Sequence, residues 1–143
     1  MSQKPTRIYI DGIFDLFHRG HLDVLRKAKE FRKDTTLIVG VISDHDATNY
    51  KRKPIYNEDD RYLIINSIKY VDEVIFAPPL KLTNDFIKKY QIDLVLHSFS
   101  NTTDYEKQKE FYSGDIENIF HIIPYNSNIS TTNLIEKMKN EEH

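Results

Sequence analysis

Apolar positions along this chain repeat with two periods, one suited to strands and one to helices. Arg7–Gly12 (RIYIDG) reads as a first strand ending at a glycine turn. From Gly20 to Phe31, Leu22, Leu25, Ala28 and Phe31 recur at three-residue steps, the spacing of a helix with one buried stripe. Thr35–Ser43 (TTLIVGVIS) is a near-continuous apolar run with β-branched residues, which suits a strand buried on both faces. Asn57-Glu58-Asp59-Asp60 opens a helix with acids in its first turn, continued by Leu63, Ile64, Ser67 and Ile68. Val71–Ala77 reads as a third strand, stopped by Pro78-Pro79. Thr83-Asn84-Asp85 opens a short helix to Tyr90, and Ile92–Leu96 (IDLVL) reads as a fourth strand. Asn101–Gly114 is polar and reads as a loop with some helix; Asn118–Ile123 reads as a fifth strand. Ser130 caps a last helix, from Thr131 to about Asn140.

Strand and helix alternate throughout, which predicts right-handed βαβ units. The expected fold is α/β: a Rossmann-like open parallel sheet of about five strands with helices on both faces. No internal repeat or linker interrupts the pattern, so residues 1–143 read as a single domain, a fitting size for 143 residues. Folding at this length buries roughly two-thirds of the unfolded surface. The formal net charge of -2 argues against general nucleic-acid binding. The absence of cysteine excludes disulfides and Cys-based metal sites. The start, Met1–Thr6, is polar and lacks the apolar run of a secretory signal, and no stretch reaches the ~18 apolar residues of a membrane span. A cytoplasmic setting is the expectation.

In open parallel sheets, ligands sit at the carboxyl ends of the strands. The residues just after the first strand are Gly12-Ile13-Phe14-Asp15-Leu16-Phe17-His18-Arg19-Gly20-His21. Two histidines flank a glycine at the mouth of the first helix. A helix N-terminus attracts phosphate through free N–H groups and partial positive charge. Gly20 allows close approach to the backbone, and imidazoles can donate to phosphoryl oxygens as charge develops. The three-residue spacing of His18 and His21 would also suit a metal pair, but no third ligand with suitable spacing is evident.

This string resembles the HxGH signature of nucleotidyltransferases, and GxFDxxHxGH is similar to the cytidylyltransferase branch. The resemblance continues through Ile38–Val41 with Ser43-Asp44, Tyr50-Lys51 with Pro54, Glu58–Tyr62, Lys69–Val74 and Ile129–Thr132. It implies transfer of CMP from CTP to a phosphorylated alcohol, with pyrophosphate released. His18 and His21 would stabilise the α-phosphate and leaving group. Lys51 would bridge the reacting phosphates, and Arg61 would contact the nucleotide phosphates through its guanidinium fork. Gly12, Ile13, Phe14, Asp15, Gly20, Asp44 and His97 are expected at the nucleotide, and Ser130, Thr131 and Thr132 at the β- and γ-phosphates. Mg²⁺ is expected to accompany CTP, with no metal ligands assigned on the protein. A homodimer is expected, as is common in the family.

The acceptor is narrowed by differences. Pro78-Pro79-Leu80 stands where choline enzymes carry an A-P-W segment, and His97-Ser98-Phe99 stands where they carry H-D-D. Tyr125–Asn128 stands where an R-T-x-G segment is usual in the glycerol-phosphate type. The stretches at 14–28, His97-Ser98 with Asp104-Tyr105-Glu106, and Ser127–Thr132 resemble ethanolamine-phosphate cytidylyltransferases, so phosphoethanolamine is the expected acceptor. Phosphocholine, glycerol 3-phosphate, ATP-dependent adenylyl transfer and a non-catalytic nucleotide-binding relic are the alternatives.

Overall fold

The computed structural model describes residues 4–125 and 131–141. Five parallel strands form one sheet in the order β3-β2-β1-β4-β5. They are β1 (Thr6–Gly12), β2 (Thr35–Val41), β3 (Glu73–Phe76), β4 (Leu94–His97) and β5 (Phe120–Ile122). The helices are α1 (Arg19–Lys29), α2 (Asp44–Tyr50), α3 (Glu58–Asn66), α4 (Asn84–Lys89), α5 (Thr102–Gln108) and α6 (Thr131–Glu141). Two 3₁₀ segments, Lys109–Tyr112 and Gly114–Ile119, follow α5.

Side chains on β1 and β2 alternate between two cores, as the pleat requires. Ile8, Ile10, Leu37 and Val39 pack with Leu25 and Ala28 of α1 and Ile65 of α3 on one face. Tyr9 and Ile38 pack with Phe86 of α4 and with Tyr112 and Ile116 on the other. Gly40 is required by close packing: a β-carbon there would collide with the Tyr9 hydroxyl and come within 2.8 Å of Pro78.

The differences from the sequence expectation have local causes. Leu22 is 38% exposed, and α1 instead buries Gly20, Val24, Leu25 and Ala28. The inward stripe is rotated from the expected one because Val24 joins it. β2 ends two residues early because Ser43 caps α2, accepting from the Asp46 N–H at 3.1 Å. α2 was not expected from the pattern, since Ala47 alone of its residues is buried. β3 starts at Glu73, because Asp72 instead pins the strand entrance: its carboxylate accepts from the Leu37 N–H at 2.7 Å and from Lys29 Nζ at 2.6 Å. The stretch 101–114, expected as a loop with some helix, holds α5 and a 3₁₀ segment, with Asn101 capping α5 through the Asp104 N–H at 2.8 Å. Ser130 lies outside the described residues, so its capping role is not described.

β1 is the strand at which the order reverses: its neighbours are β2, which follows it, and β4. A ligand crevice is expected at the carboxyl ends of strands meeting there.

Candidate active site

The loop leaving β1 is held in a strained form. Phe14 and Leu16 have φ of 55° and 47°, left-handed values that cost free energy for bulky residues. A β-carbon at Gly12 would sit 3.0 Å from the Phe14 ring, so glycine lets this ring fold back over the strand end. Asp15 is 4% exposed and anchors the loop from inside. Its carboxylate accepts the N–H groups of Ile55 at 2.6 Å, Tyr56 at 2.9 Å and Leu16 at 3.1 Å. Thr131 ties α6 to the same loop by donating its hydroxyl to the Asp15 carbonyl at 2.6 Å.

His18 and His21 form the N-terminal cap of α1. The Gly20 N–H donates to His18 Nδ1 at 3.0 Å, and the His18 N–H donates to His21 Nδ1 at 3.2 Å. This is a capping box built from imidazoles. The backbone donors expected to face an anion are therefore partly taken up by the two rings. The cap also sets the tautomers. With Nδ1 accepting, a neutral ring carries its proton on Nε2. Burial lowers the pKa of His18. Burial, then the neighbouring His18 and Lys51, lowers that of His21 to about 3. The rings stack with centroids 3.9 Å apart, and His18 Nε2 is buried without a hydrogen-bond partner among the described residues. A neutral donor pair with one unsatisfied N–H is suited to phosphoryl oxygens.

Lys51 ends α2, and burial lowers its pKa while Asp104 opposes the shift. Its Nζ stands 3.9 Å from Asp104 Oδ1. Asp104 is oriented by Gln108, which donates to Oδ1, and by Ser100, whose N–H donates to Oδ2 at 2.9 Å. Gln108 Oε1 lies 3.1 Å from His97 Nε2 at the end of β4. His97 Nδ1 lies 2.9 Å from the Tyr112 oxygen, and Tyr112 donates its hydroxyl to Asp11. A buried polar chain thus runs from β1 through Tyr112, His97 and Gln108 to the carboxylate facing Lys51.

Arg61 is fully buried on α3, and its fork is occupied by the protein. It donates to the carbonyls of Tyr56 at 3.0 Å, Ile13 at 2.8 Å and Ile42 at 2.8 Å, and pairs with Asp44 at 2.7 Å. The structure thus gives Arg61 partners other than the phosphates expected from sequence. Three turns of chain meet on one guanidinium, which does not line the cavity below.

A cavity of about 110 Å³ opens at the carboxyl ends of β1 and β4. It is lined by Ile13, Phe14, Asp15, His21, Lys51, His97, Thr131 and Thr132 among the expected residues. Gly12, His18, Gly20, Asp44 and Arg61 lie outside its lining and support it through the contacts above. Among the described residues, no three His, Asp or Glu side chains are placed to hold a metal ion.

A sequence model described as "Cytidylyltransferase-like" matches residues 9–137. The chain belongs to the cytidylyltransferase-like family. Choline-phosphate cytidylyltransferase A of Rattus norvegicus is 45% identical over 95 residues, covering 66% of this chain and 26% of that protein. Ethanolamine-phosphate cytidylyltransferase of Dictyostelium discoideum is 33% identical over 138 residues, covering 96% of this chain and 38% of that protein. The chain thus spans between a quarter and two-fifths of these relatives. Among solved structures, the lipopolysaccharide core biosynthesis protein from Thermoplasma volcanium GSS1 superposes with a TM-score of 0.63 at 23% identity, covering 85% of this chain and 96% of that one. Pantoate-beta-alanine ligase from Francisella tularensis superposes at 0.52 and 12% identity, covering all of this chain and 72% of that one. These two likenesses show the fold.

In this cytidylyltransferase-like chain the cavity also uses Tyr50, Arg52, Ser98, Ser100, Asp104 and Gln108, which were not picked out as site residues from sequence. Arg52 was visible only as the middle of a basic run. Asp104 and Gln108 stood four apart in a polar segment read as a loop with some helix, and their burial, at 8% and 5% exposure, was the missing signal. No helix among the described residues is long and apolar enough to cross a membrane.

Proposed function

We propose that residues 1–143 act as one catalytic domain that transfers CMP from CTP to phosphoethanolamine, releasing pyrophosphate. The observation that carries this reading is His21, a neutral imidazole set as an Nε2–H donor by the cap it shares with His18, in the lining of the strand-end cavity with Lys51. An oxygen of the acceptor phosphate attacks the α-phosphorus of CTP. The new P–O bond forms as the bond to the bridging oxygen of the β-phosphate breaks, and that oxygen leaves with pyrophosphate. The transfer needs positioning and charge stabilisation more than covalent help. His18 and His21 donate to the α-phosphate and the leaving oxygen. Lys51 draws the acceptor phosphate and the α-phosphate together. Thr131 and Thr132, with Ser130, hold the outgoing phosphates.

Mg²⁺ enters in this proposal with CTP, held by phosphate oxygens, and offsets their charge. Arg61 and Asp15 act as positioning residues, fixing the loops that carry the reacting groups. Phosphoethanolamine is preferred because the likeness to an ethanolamine-phosphate enzyme runs over 96% of the chain, and because a buried carboxylate, Asp104, faces the cavity where an ammonium can meet it. We extend the proposal to a cytoplasmic homodimer, on the resemblance alone. Sedimentation would then give twice the 17.0 kDa of one chain.

The test is product analysis by mass spectrometry after incubation with CTP, Mg²⁺ and an equimolar mixture of phosphoethanolamine, phosphocholine and glycerol 3-phosphate. CDP-ethanolamine as the main product supports the reading. CTP binding with no CDP-alcohol would identify a non-catalytic nucleotide-binding domain and overturn it.

A further inference from the structure

We infer that Arg52, which lines the cavity with Thr131 and Thr132, grips the β- and γ-phosphates of the nucleotide. The inference rests on the reading of the cavity as a CTP site and adds a residue to it. Lys51 and Arg52 are adjacent in sequence, and both line the cavity. Their surroundings differ. Lys51 has a buried carboxylate at 3.9 Å, whereas Arg52 forms no ion pair among the described residues. Among the described residues its side-chain hydrogen bond is from Nη1 to the Thr132 hydroxyl oxygen, at 3.1 Å. Thr132 lines the same cavity. A guanidinium carries five donors in a plane, and a single neutral acceptor leaves most of them available. Bidentate recognition of phosphate is what that geometry suits.

The position is built by the fold. The Arg52 N–H donates to the Ala47 carbonyl at 3.1 Å, and Pro54 is buried two residues later. Asp15 then holds the N–H groups of Ile55 and Tyr56, and Thr131 holds the Asp15 carbonyl. These contacts close a ring: Arg52 to Thr132, Thr131 to Asp15, Asp15 to Ile55, and back along the chain to Arg52. One end of the cavity is framed by that ring, with the guanidinium as its cationic member. Four members of the ring, Asp15, Arg52, Thr131 and Thr132, line the same cavity as His21, so one nucleotide can meet both. Arg52 thus becomes the cation that separates a triphosphate from a monophosphate.

Calorimetric titration of CTP, CMP and pyrophosphate against the wild-type chain, Arg52→Gln and Arg52→Lys tests this. Arg52→Gln keeps a donor for Thr132 and removes the charge. We expect it to weaken CTP and pyrophosphate about tenfold or more, the scale of a lost charged hydrogen bond, with CMP changed less than about twofold. Arg52→Lys should recover part of the loss. Equal weakening of CTP and CMP by both variants, or unchanged CTP binding, would overturn the inference while leaving the function standing. A wild-type chain that binds CMP and pyrophosphate but not CTP, or none of the three, would overturn both.

Discussion

The histidine pair shows how one residue type can cap a helix and fix its own tautomer with the same bonds. Each ring accepts a backbone N–H at Nδ1, so the cap of α1 and the tautomer of the donors are set by the same two bonds. Unfolded imidazoles titrate near 6.5, whereas folded His21 takes a proton only at about 3. Between these values the unfolded chain binds more protons, so this contribution to stability is complete above 6.5 and declines as pH falls toward 3. The His21 ring resonances in an NMR titration should accordingly stay at their neutral positions from pH 8 to 5; a midpoint near 6.5 would contradict the burial argument. Arg61 carries a different expectation. Removing its fork strands three carbonyls and the Asp44 carboxylate, so Arg61→Ala should cost about 3–5 kcal/mol in urea unfolding. Unchanged stability with lost CTP affinity would instead return Arg61 to the phosphates. Sequence could not distinguish these roles for Arg61, because an arginine near a helix start looks the same whether it faces a ligand or three carbonyls.

At the scale of elements, the β1–α1 loop and β4 were legible and the α5 segment was not. The first loop announces itself through glycine, paired histidines and an apolar strand before it. Residues 101–114 carry few apolar side chains, so periodicity could not reveal that Asp104, Gln108 and Tyr112 point inward. Their burial is stabilised by a polar chain between His97 and Lys51, a pattern that hydrophobic spacing does not encode. That chain has a kinetic consequence. In the proposed function Lys51 acts as a cation, and burial lowers its pKa from 10.5, so activity is expected to be lost as pH rises through a value below 10.5. Asp104 opposes the shift, so Asp104→Asn should move this alkaline limb of kcat/KM to lower pH. A limb unmoved by Asp104→Asn would show that Asp104 does not govern Lys51.

Over the whole molecule, the strand order follows from the alternation read in sequence, but the crevice emerges only when β4 pairs with β1. That pairing joins residues 11 and 97, far apart in the chain, through the Tyr112 hydroxyl. The cavity is thus a property of topology, with α1, α2 and the loop after it, α5 and α6 supplying its remaining walls. In the proposed function the imidazole pair accelerates phosphoryl transfer at this cavity. The most direct test is the turnover number of His21→Ala with CTP and phosphoethanolamine, measured on protein shown by thermal unfolding to be folded at the assay temperature. The expected result is a fall of about a hundredfold or more with CTP affinity largely kept. A folded variant that turns over at the wild-type rate would contradict it.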